Sequence, residues 1–200
     1  MEIPRHQIRA RFTDDTVTVY QAYHPTIGGP AVRDGRFPPS WKRERMTWIK
    51  PSFLWMMYRC GWGRKPNQET VLAVEITRGG FEWALRHACL SHFTSGVHAD
   101  HGDWKRRLRE NPARVQWDPE RDLLLRPLGH RSLQLGLAGE ATRRYADEWA
   151  VSFTDVTPLA HEVHALVGAG DLEGATRLLP RERPYPVGEG ALDHLRPAPA

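Results

Sequence analysis

The sequence predicts one α+β domain over residues 1–180, with a mixed or antiparallel central sheet flanked by helices, a C-terminal helical hairpin and a disordered tail. Its β-rich and helical segments follow one another without the regular alternation of a doubly wound parallel sheet. The length of 200 residues is typical of a single domain. Of these residues 40% are hydrophobic and 26% are charged, which is ordinary for globular proteins and excludes wholesale disorder.

Two strands have the clearest patterns. Residues 16–23 are rich in β-branched and aromatic side chains, and residues 70–77 form a nearly continuous β-rich run bounded by turns. Shorter β-rich runs predict further strands over residues 114–117, 132–136 and 151–153.

Helices are expected between these strands. Pro51 suits the first position of a helix that continues over residues 52–58, because a proline there loses no hydrogen bond. Gly61 suits the end of that helix. Helical patterns also occupy residues 26–33, 81–89, 103–110 and 139–149.

The C-terminal part is predicted to be a helical hairpin followed by a flexible tail. Thr157 and Pro158 are typical of an N-cap and a first turn, and Asp171 is typical of the cap of a second short helix. Residues 181–200 are rich in proline and poor in apolar side chains, so we expect them to be poorly ordered.

The positive charge is concentrated in one segment. The whole chain carries +4, whereas residues 33–65 hold nine Lys or Arg against two acidic residues, together with four of the eight tryptophans. Cations interleaved with aromatic rings are typical of sites that bind nucleotides or nucleic acid. The alternative is that arginine stems pack over a tryptophan-rich core edge. The candidate nucleic-acid-binding residues are Trp41, Lys42, Arg43, Arg45 and Trp62.

Composition also indicates the compartment. No stretch approaches the roughly 18 apolar residues of a membrane helix, and the N-terminus lacks the apolar run of a signal peptide. We therefore expect a cytoplasmic protein with no membrane partner, in which Cys60 and Cys89 are reduced thiols. The sequence leaves the oligomeric state open.

Several standard signatures are absent. The chain has no GxGxxG after a strand, no GxxxxGK[ST] and no GxSxG. His161 and His164 are three residues apart, whereas the zinc-protease motif needs four. The segment 87–101 matches no known ligand spacing either, so we expect ordinary histidines and no metal. Its candidate ligands are His87, Cys89, His92, His98 and His101.

Two early segments combine polar side chains with special backbone positions. On the strand over residues 16–23, Gln21 and Tyr23 face one side and Tyr20 faces the other. Such side chains need partners when buried, so they line a cleft or pack across strands. Lys50 and Ser52 flank a helix start, where free N–H groups favour an anion such as phosphate.

Two later segments offer similar candidates. Asp118-Pro119 is expected to end a strand and to leave Glu120 and Arg121 in a turn. There the carboxylate and the guanidinium could act in acid–base catalysis, bind an anion or form a plain surface ion pair. Ser132, Gln134 and Gly136 share one face of the next strand, and that face either lines a cleft or meets solvent.

Four strings of sequence carry a family resemblance. They are VYQAY (19–23), TWIKPSFLWMMYRCGWG (47–63), QWDPER (116–121) and RSLQLG (131–136). Together they resemble the uncharacterised family catalogued as domain of unknown function number 4291, from about residue 9 to residue 157. This family implies no established activity.

The order of the segments also resembles that of ADP-ribosyltransferases. Those enzymes begin with a strand that bears Arg or His for NAD, and a late strand carries a catalytic Glu or Gln. The resemblance places Gln21 at the first position, unless Arg9 or Arg11 serves, and Gln134 or Glu120 at the late one. It implies NAD as cofactor and these binding residues: Tyr20, Tyr23, Trp48, Lys50, Ser52, Arg59 and Arg121.

The leading hypothesis is therefore a nucleotide-using transferase that acts on nucleic acid or another anionic acceptor. The alternative is a non-catalytic nucleic-acid-binding module with a basic, tryptophan-rich surface. A hydrolase, a nuclease or a partner-binding protein remains open. The leading hypothesis expects six side chains to meet in one pocket: Tyr20, Gln21, Lys50, Ser52, Glu120 and Gln134.

Overall fold

The computed structural model describes residues 3–188 and 190–195. Its strands are β1 (Arg9–Ala10), β2 (Thr16–Tyr23), β3 (Thr47–Ile49), β4 (Thr70–Thr77), β5 (Ala88–Leu90), β6 (Ala113–Arg121), β7 (Pro127–Leu137), β8 (Ala150–Asp155) and β9 (Arg183–Pro184). Its α-helices are α1 (Pro25–Asp34), α2 (Phe53–Cys60), α3 (Arg78–Arg86), α4 (His101–Glu110), α5 (Glu140–Arg144), α6 (Thr157–Gly168) and α7 (Leu172–Leu178). The predicted α+β class and the C-terminal helical hairpin, α6 and α7, are confirmed.

The strands form two main sheets instead of one central sheet. The first has the order β2-β4-β8 and is antiparallel. The second has the order β3-β7-β6-β5 and is mixed, because β5 and β6 pair in parallel while the other neighbours are antiparallel. A short ladder also joins β1 to β9.

The two sheets share one hydrophobic core. Val19 of β2 and Val74 of β4 are buried in the same cluster as Val115 of β6 and Leu135 of β7. The opposite face of the first sheet packs on α2 and α6 through a second cluster that includes Tyr20. The opposite face of the second sheet is polar, because polar residues alternate with the core positions along β6 and β7. These polar residues are Gln116, Asp118, Ser132 and Gln134.

The ends of helix α2 follow from local chemistry. Ser52 caps its first turn, since its Oγ accepts a hydrogen bond of 3.1 Å from the backbone N–H of Trp55. Gly61 ends the helix in the left-handed conformation with φ 58°. The helix therefore begins two residues after Pro51, which precedes the cap and does not occupy the first helical position.

Strand β6 extends further than its sequence predicts. It continues through Asp118 and Pro119 to Arg121, with a shift of register between Pro119 and Arg121. A bulge tolerates a proline because one residue there does not pair. As a result Glu120 lies in the strand and is buried, not in an exposed turn.

Other element boundaries also differ. The helix predicted over residues 139–149 is α5 followed by a π-helix, Tyr145–Trp149, which buries the side chains of Tyr145 and Trp149. The helix predicted over 81–89 begins at Arg78 instead, and its last residues form β5.

The described part of the predicted tail is ordered, in contrast to the expectation. Arg183–Pro184 pairs with β1, and Tyr185 is buried between Arg78 and Glu82, whose side chains hydrogen-bond its hydroxyl. A 3-10 helix, Asp193–Leu195, also covers the core. These contacts join segments that are far apart in the sequence, so the proline content of the tail did not indicate them. Residues 189 and 196–200 lie outside the described part of the chain.

The sequence predicts reduced cysteines and no membrane helix. Cys60 and Cys89 are free and buried. None of the helices in residues 3–188 and 190–195 has the length and apolar character that crossing a lipid bilayer requires.

Candidate functional site

A cavity of about 620 Å³ lies at the end of β2, beside the segment that leads into α2. Four cations line it, and among the described residues that line it there is no Asp or Glu. Aromatic and amide side chains line the rest, including Tyr23, Trp48 and Asn67. The cavity is therefore electropositive and partly aromatic. Its cations are Lys42, Arg45, Lys50 and Arg59.

Gln21 holds one wall of this cavity in place. Its Nε2 donates to Thr47 Oγ1 at 2.7 Å and to the carbonyl of Trp48 at 3.1 Å. Its Oε1 accepts from the Tyr145 hydroxyl at 2.6 Å. Because these bonds occupy the amide, Gln21 acts as a positioning residue for residues 47–48, and not as the catalytic group that the sequence predicts.

Tyr23 and Trp41 form a second wall. The indole N–H of Trp41 donates to the Tyr23 hydroxyl at 3.0 Å, and the Trp41 ring stacks on Phe37 with 4.3 Å between ring centroids. Burial raises the pKa of Tyr23 to about 12, so its hydroxyl stays protonated at neutral pH. Both rings are fixed before any ligand arrives.

Trp48 lies against the backbone of strand β7. A Cβ placed on Gly136 would come 3.0 Å from the ring of Trp48, so only glycine fits there without displacing the indole. The sequence groups Gly136 with Ser132 and Gln134 on one face of a strand. In the structure, position 136 is glycine because the ring of Trp48 occupies the space of a side chain.

Lys50 is the buried cation of the cavity. It is 6% exposed, and its Nζ donates to the carbonyl of Trp48 at 3.3 Å and lies 5.3 Å from the ring centroid of Trp55. Burial and, to a lesser extent, the charge of Arg59 lower the pKa of Lys50 to about 7, and the carboxylate of Asp118 acts in the opposite direction. Lys50 is thus partly neutral at physiological pH.

Gln134 lies on the polar face of the second sheet, next along β7 to Leu135, which pairs with Ile49. Its Nε2 donates to Asp118 Oδ2, and Gln116 Nε2 donates to Asp118 Oδ1 at 3.0 Å. Two amides therefore orient one carboxylate, and its charge acts on Lys50 by raising the pKa of that amine. Sequence reasoning missed Asp118 as a site residue, although its alternation with the core positions of β6 places it on this face.

Ser52, Glu120 and Arg121 line a separate cavity of about 190 Å³. Ser52 Oγ donates to Glu120 Oε1 at 2.9 Å. Glu182 Oε1 accepts from the backbone N–H of Phe53 at 2.7 Å, at the same helix start. Burial and the nearby charge of Glu120 raise the pKa of Glu182 to about 8. The helix start therefore binds carboxyl groups of the chain itself, not an external phosphate.

Two predicted ligand contacts are wrong. Tyr20 is 1% exposed and packs edge-on against Phe53 in the second core cluster, so it does not stack on a ligand. Arg121 stacks on the ring of Tyr58 at 3.6 Å and donates to the carbonyl of Leu125, away from the larger cavity.

The candidate nucleic-acid-binding residues separate into two groups. Lys42 and Arg45 are exposed at the larger cavity. Arg43 instead forms an ion pair with Asp147 at 2.8 Å, and Trp62 is buried with its ring stacked on His164. Together with the buried ring of Trp41, this leaves little free indole surface for unpaired bases.

The structure thus brings part of the predicted pocket together. Gln21 and Lys50 line the larger cavity, and Ser52 and Glu120 lie at the smaller one. Gln134 lines neither cavity and hydrogen-bonds Asp118. In the described chain, no three His, Cys, Asp or Glu side chains are grouped so that they could hold a metal ion. The histidines of residues 87–101 instead contact aromatic rings and nearby polar groups.

A family model matches most of the chain. The model of a family described as "Domain of unknown function (DUF4291)" matches residues 7–185, which is most of the chain. No curated protein matches the sequence.

Proposed function

The chain belongs to the DUF4291 family, which is described without an activity, and we propose that it is a nucleotide-using transferase that binds NAD in the 620 Å³ cavity. The observation that carries the proposal is the lining of that cavity. It combines four cations with aromatic rings and, among the described lining residues, has no carboxylate to repel a phosphate. Nucleotides present both an anion and a flat ring, so this lining complements them.

Size and charge agree with a dinucleotide. Small-molecule sites commonly enclose about 300–1,000 Å³. Lys42, Arg45 and Arg59 supply charge-assisted hydrogen bonds for a pyrophosphate. Trp48 and Tyr23 offer aromatic surface against which an adenine or nicotinamide ring packs.

The proposed reaction is a ribosyl transfer. The bond between the nicotinamide nitrogen and C1′ of its ribose breaks, the pair of electrons leaves with nicotinamide, and an acceptor nucleophile forms the new bond to C1′. Positive charge develops on the ribose. Asp118, which Gln116 and Gln134 orient, is not among the described residues that line the cavity, so it would stabilise this charge through its field, as it does the ammonium of Lys50. The neutral amine of Lys50, which lines the cavity, would take the proton that the acceptor loses.

The acceptor is expected to be anionic. Lys42 and Arg45 are exposed at the cavity, so a nucleic acid or another polyanion would meet positive charge on its approach. Gln134 then serves the reaction by orienting Asp118. Glu120, the other residue proposed for the late catalytic position, is separated from this site by its bond to Ser52 in the smaller cavity.

Ligand-induced stabilisation tests the proposal. Millimolar NAD should raise the melting temperature of the protein, and Arg59→Ala should weaken this effect by about tenfold in concentration, since a hydrogen bond to a charged group contributes roughly 1.5–3 kcal/mol. Arg109→Ala, on the exposed end of α4, is the matched control and should leave the shift unchanged. The absence of a shift with NAD, NADH and ADP-ribose would reject a dinucleotide site.

A non-catalytic nucleic-acid-binding module is the second candidate. The exposed Lys42 and Arg45 favour it, whereas the buried rings of Trp41 and Trp62 do not. This function predicts oligonucleotide affinity that falls steeply with salt and drops further in the double variant Lys42→Ala, Arg45→Ala. NAD would then leave the melting temperature unchanged.

A further inference from the structure

We propose that Lys50 is a nucleophilic amine that forms an imine with phosphate-bearing aldehydes entering the 620 Å³ cavity. This activity goes beyond ribosyl transfer, since it needs neither NAD nor an acceptor. It rests on one buried lysine that lines a cationic cavity.

Lys50 differs from the other three lysines of the chain. Lys42 and Lys105 are exposed, and the Nζ of Lys65 donates to the carbonyl of Arg59 at 2.9 Å at the surface. Lys50 is buried, and no ion pair holds its ammonium within the part of the chain that the structure describes. A buried lysine without a carboxylate contact loses the water that stabilises its charge.

The surroundings of Lys50 favour the reactive form of the amine. Only a neutral amine adds to a carbonyl carbon, and lysines become nucleophilic when they are desolvated or lie near another cation. Both conditions hold here, because Lys50 is buried and Arg59 lines the same cavity. Accordingly, the pKa of Lys50 is lowered to about 7.

The cavity selects an aldehyde with an anionic group. Arg45, Arg59 and Lys42 line the cavity around Lys50 and would hold a phosphate, and the described lining residues include no acidic side chain. A neutral aldehyde of the same shape would lack these contacts. Phosphorylated aldehydes should therefore react at lower concentrations than their unphosphorylated counterparts.

The chemical step balances without a further reagent. The Nζ lone pair of Lys50 forms a bond to the carbonyl carbon, and the carbonyl oxygen takes a proton to give a carbinolamine. Loss of that hydroxyl as water leaves a C=N bond. Solvent water would carry the proton from the attacking nitrogen to the leaving oxygen.

Mapping the modified lysine tests the inference directly. The full chain is incubated with pyridoxal 5′-phosphate at neutral pH, reduced with borohydride, digested and analysed by mass spectrometry. Reduction should fix the label on Lys50 before it appears on Lys42, Lys65 or Lys105. Labelling of the exposed lysines in preference to Lys50 would overturn the proposal.

Variants and a second aldehyde test the selectivity. Lys50→Arg should abolish the imine absorbance, whereas the control Lys105→Arg, at an exposed lysine outside the cavity, should retain it. Pyridoxal without phosphate should need about tenfold more reagent, because it loses a charge-assisted contact. Equal reactivity of the two aldehydes at Lys50 would overturn the assignment to phosphate-bearing substrates.

Competition separates this inference from the proposed NAD site. If both are correct, NAD slows the labelling of Lys50 because the two ligands share the cavity. If NAD neither binds nor protects while Lys50 is still labelled selectively, the imine proposal holds and the transferase proposal fails. If NAD raises the melting temperature and Lys50 is never labelled, the reverse is true.

Discussion

The hydroxyl of Tyr145 donates a hydrogen bond of 2.6 Å to Oε1 of Gln21, a residue 124 positions earlier in the chain. Both side chains are buried, and the same amide of Gln21 holds Thr47 and Trp48. The π-helix therefore fixes the wall of the larger cavity through one amide.

Removing this hydroxyl should destabilise the fold and loosen the cavity. Tyr145→Phe leaves the buried Oε1 of Gln21 without its donor, which costs about 1–3 kcal/mol. Chemical denaturation measures the loss. Tyr58→Phe, at an exposed tyrosine, should cost far less, and an equal effect of the two variants would contradict the role given to Tyr145.

The contact between Gly136 and Trp48 predicts opposite effects of alanine at two glycines of strand β7. Gly136→Ala brings a methyl group within 3.0 Å of the indole, so it should displace Trp48 and cost about 1–3 kcal/mol. Gly129→Ala meets no heavy atom within 4 Å and should be neutral or stabilising. Tryptophan fluorescence and urea unfolding report both effects, and equal stability of the two variants would refute the contact.

The carboxyl of Glu182 predicts a loss of stability as the pH rises. Its pKa is about 8 in the folded protein and 4.5 in the unfolded chain, so the folded state binds more protons between these values. This contribution is fully present below pH 4.5 and is lost as the pH rises through 8. Glu182→Gln should flatten this part of the pH–stability curve. The exposed control Glu162→Gln should leave the curve as it is in the natural protein.

Lys50 predicts the opposite trend at higher pH. Its pKa is about 7 when folded and 10.5 when unfolded, so the unfolded chain binds more protons in this range and stability should rise with pH. The slope contributed is at most about 1.4 kcal/mol per pH unit. Lys50→Met should remove this rise, and Lys105→Met should not. If the pH–stability curves of Lys50→Met and the natural protein ran parallel between pH 7 and 10.5, the pKa of Lys50 would not be lowered in the folded protein.

Local patterns predicted much of the fold. Strands β2 and β4 have the predicted limits, because their β-branched runs are bounded by turn residues on both sides. Helix α2 ends at Gly61, as predicted, since only glycine readily adopts the left-handed conformation there. These signals lie within a few residues of what they determine.

The errors arise where distant segments decide the structure. Pro119 is a local signal for the end of a strand, but pairing with β7 continues the strand through a bulge. Tyr185 lies in a proline-rich stretch, but Arg78 and Glu82 hold it in place. The partners of Pro119 and Tyr185 lie far away in the sequence, so the local sequence around either residue does not reveal them.

In the candidate site, too, local sequence indicates some features and distant residues determine others. The density of cations in residues 33–65 predicted an electropositive site, and the cavity lies there. The sequence placed Ser52 in that site as well, two residues after Lys50. The bond from Ser52 to Glu120, 68 positions later, turns it toward the smaller cavity instead.

The ladder between Arg9–Ala10 and Arg183–Pro184 has a practical consequence for anyone who shortens this protein. A fragment that stops at residue 180 removes Tyr185 from above Phe12 and Phe81 and leaves those rings facing water. It also deprives the first turn of α2 of the carboxyl at position 182. Truncation there should yield an aggregation-prone product.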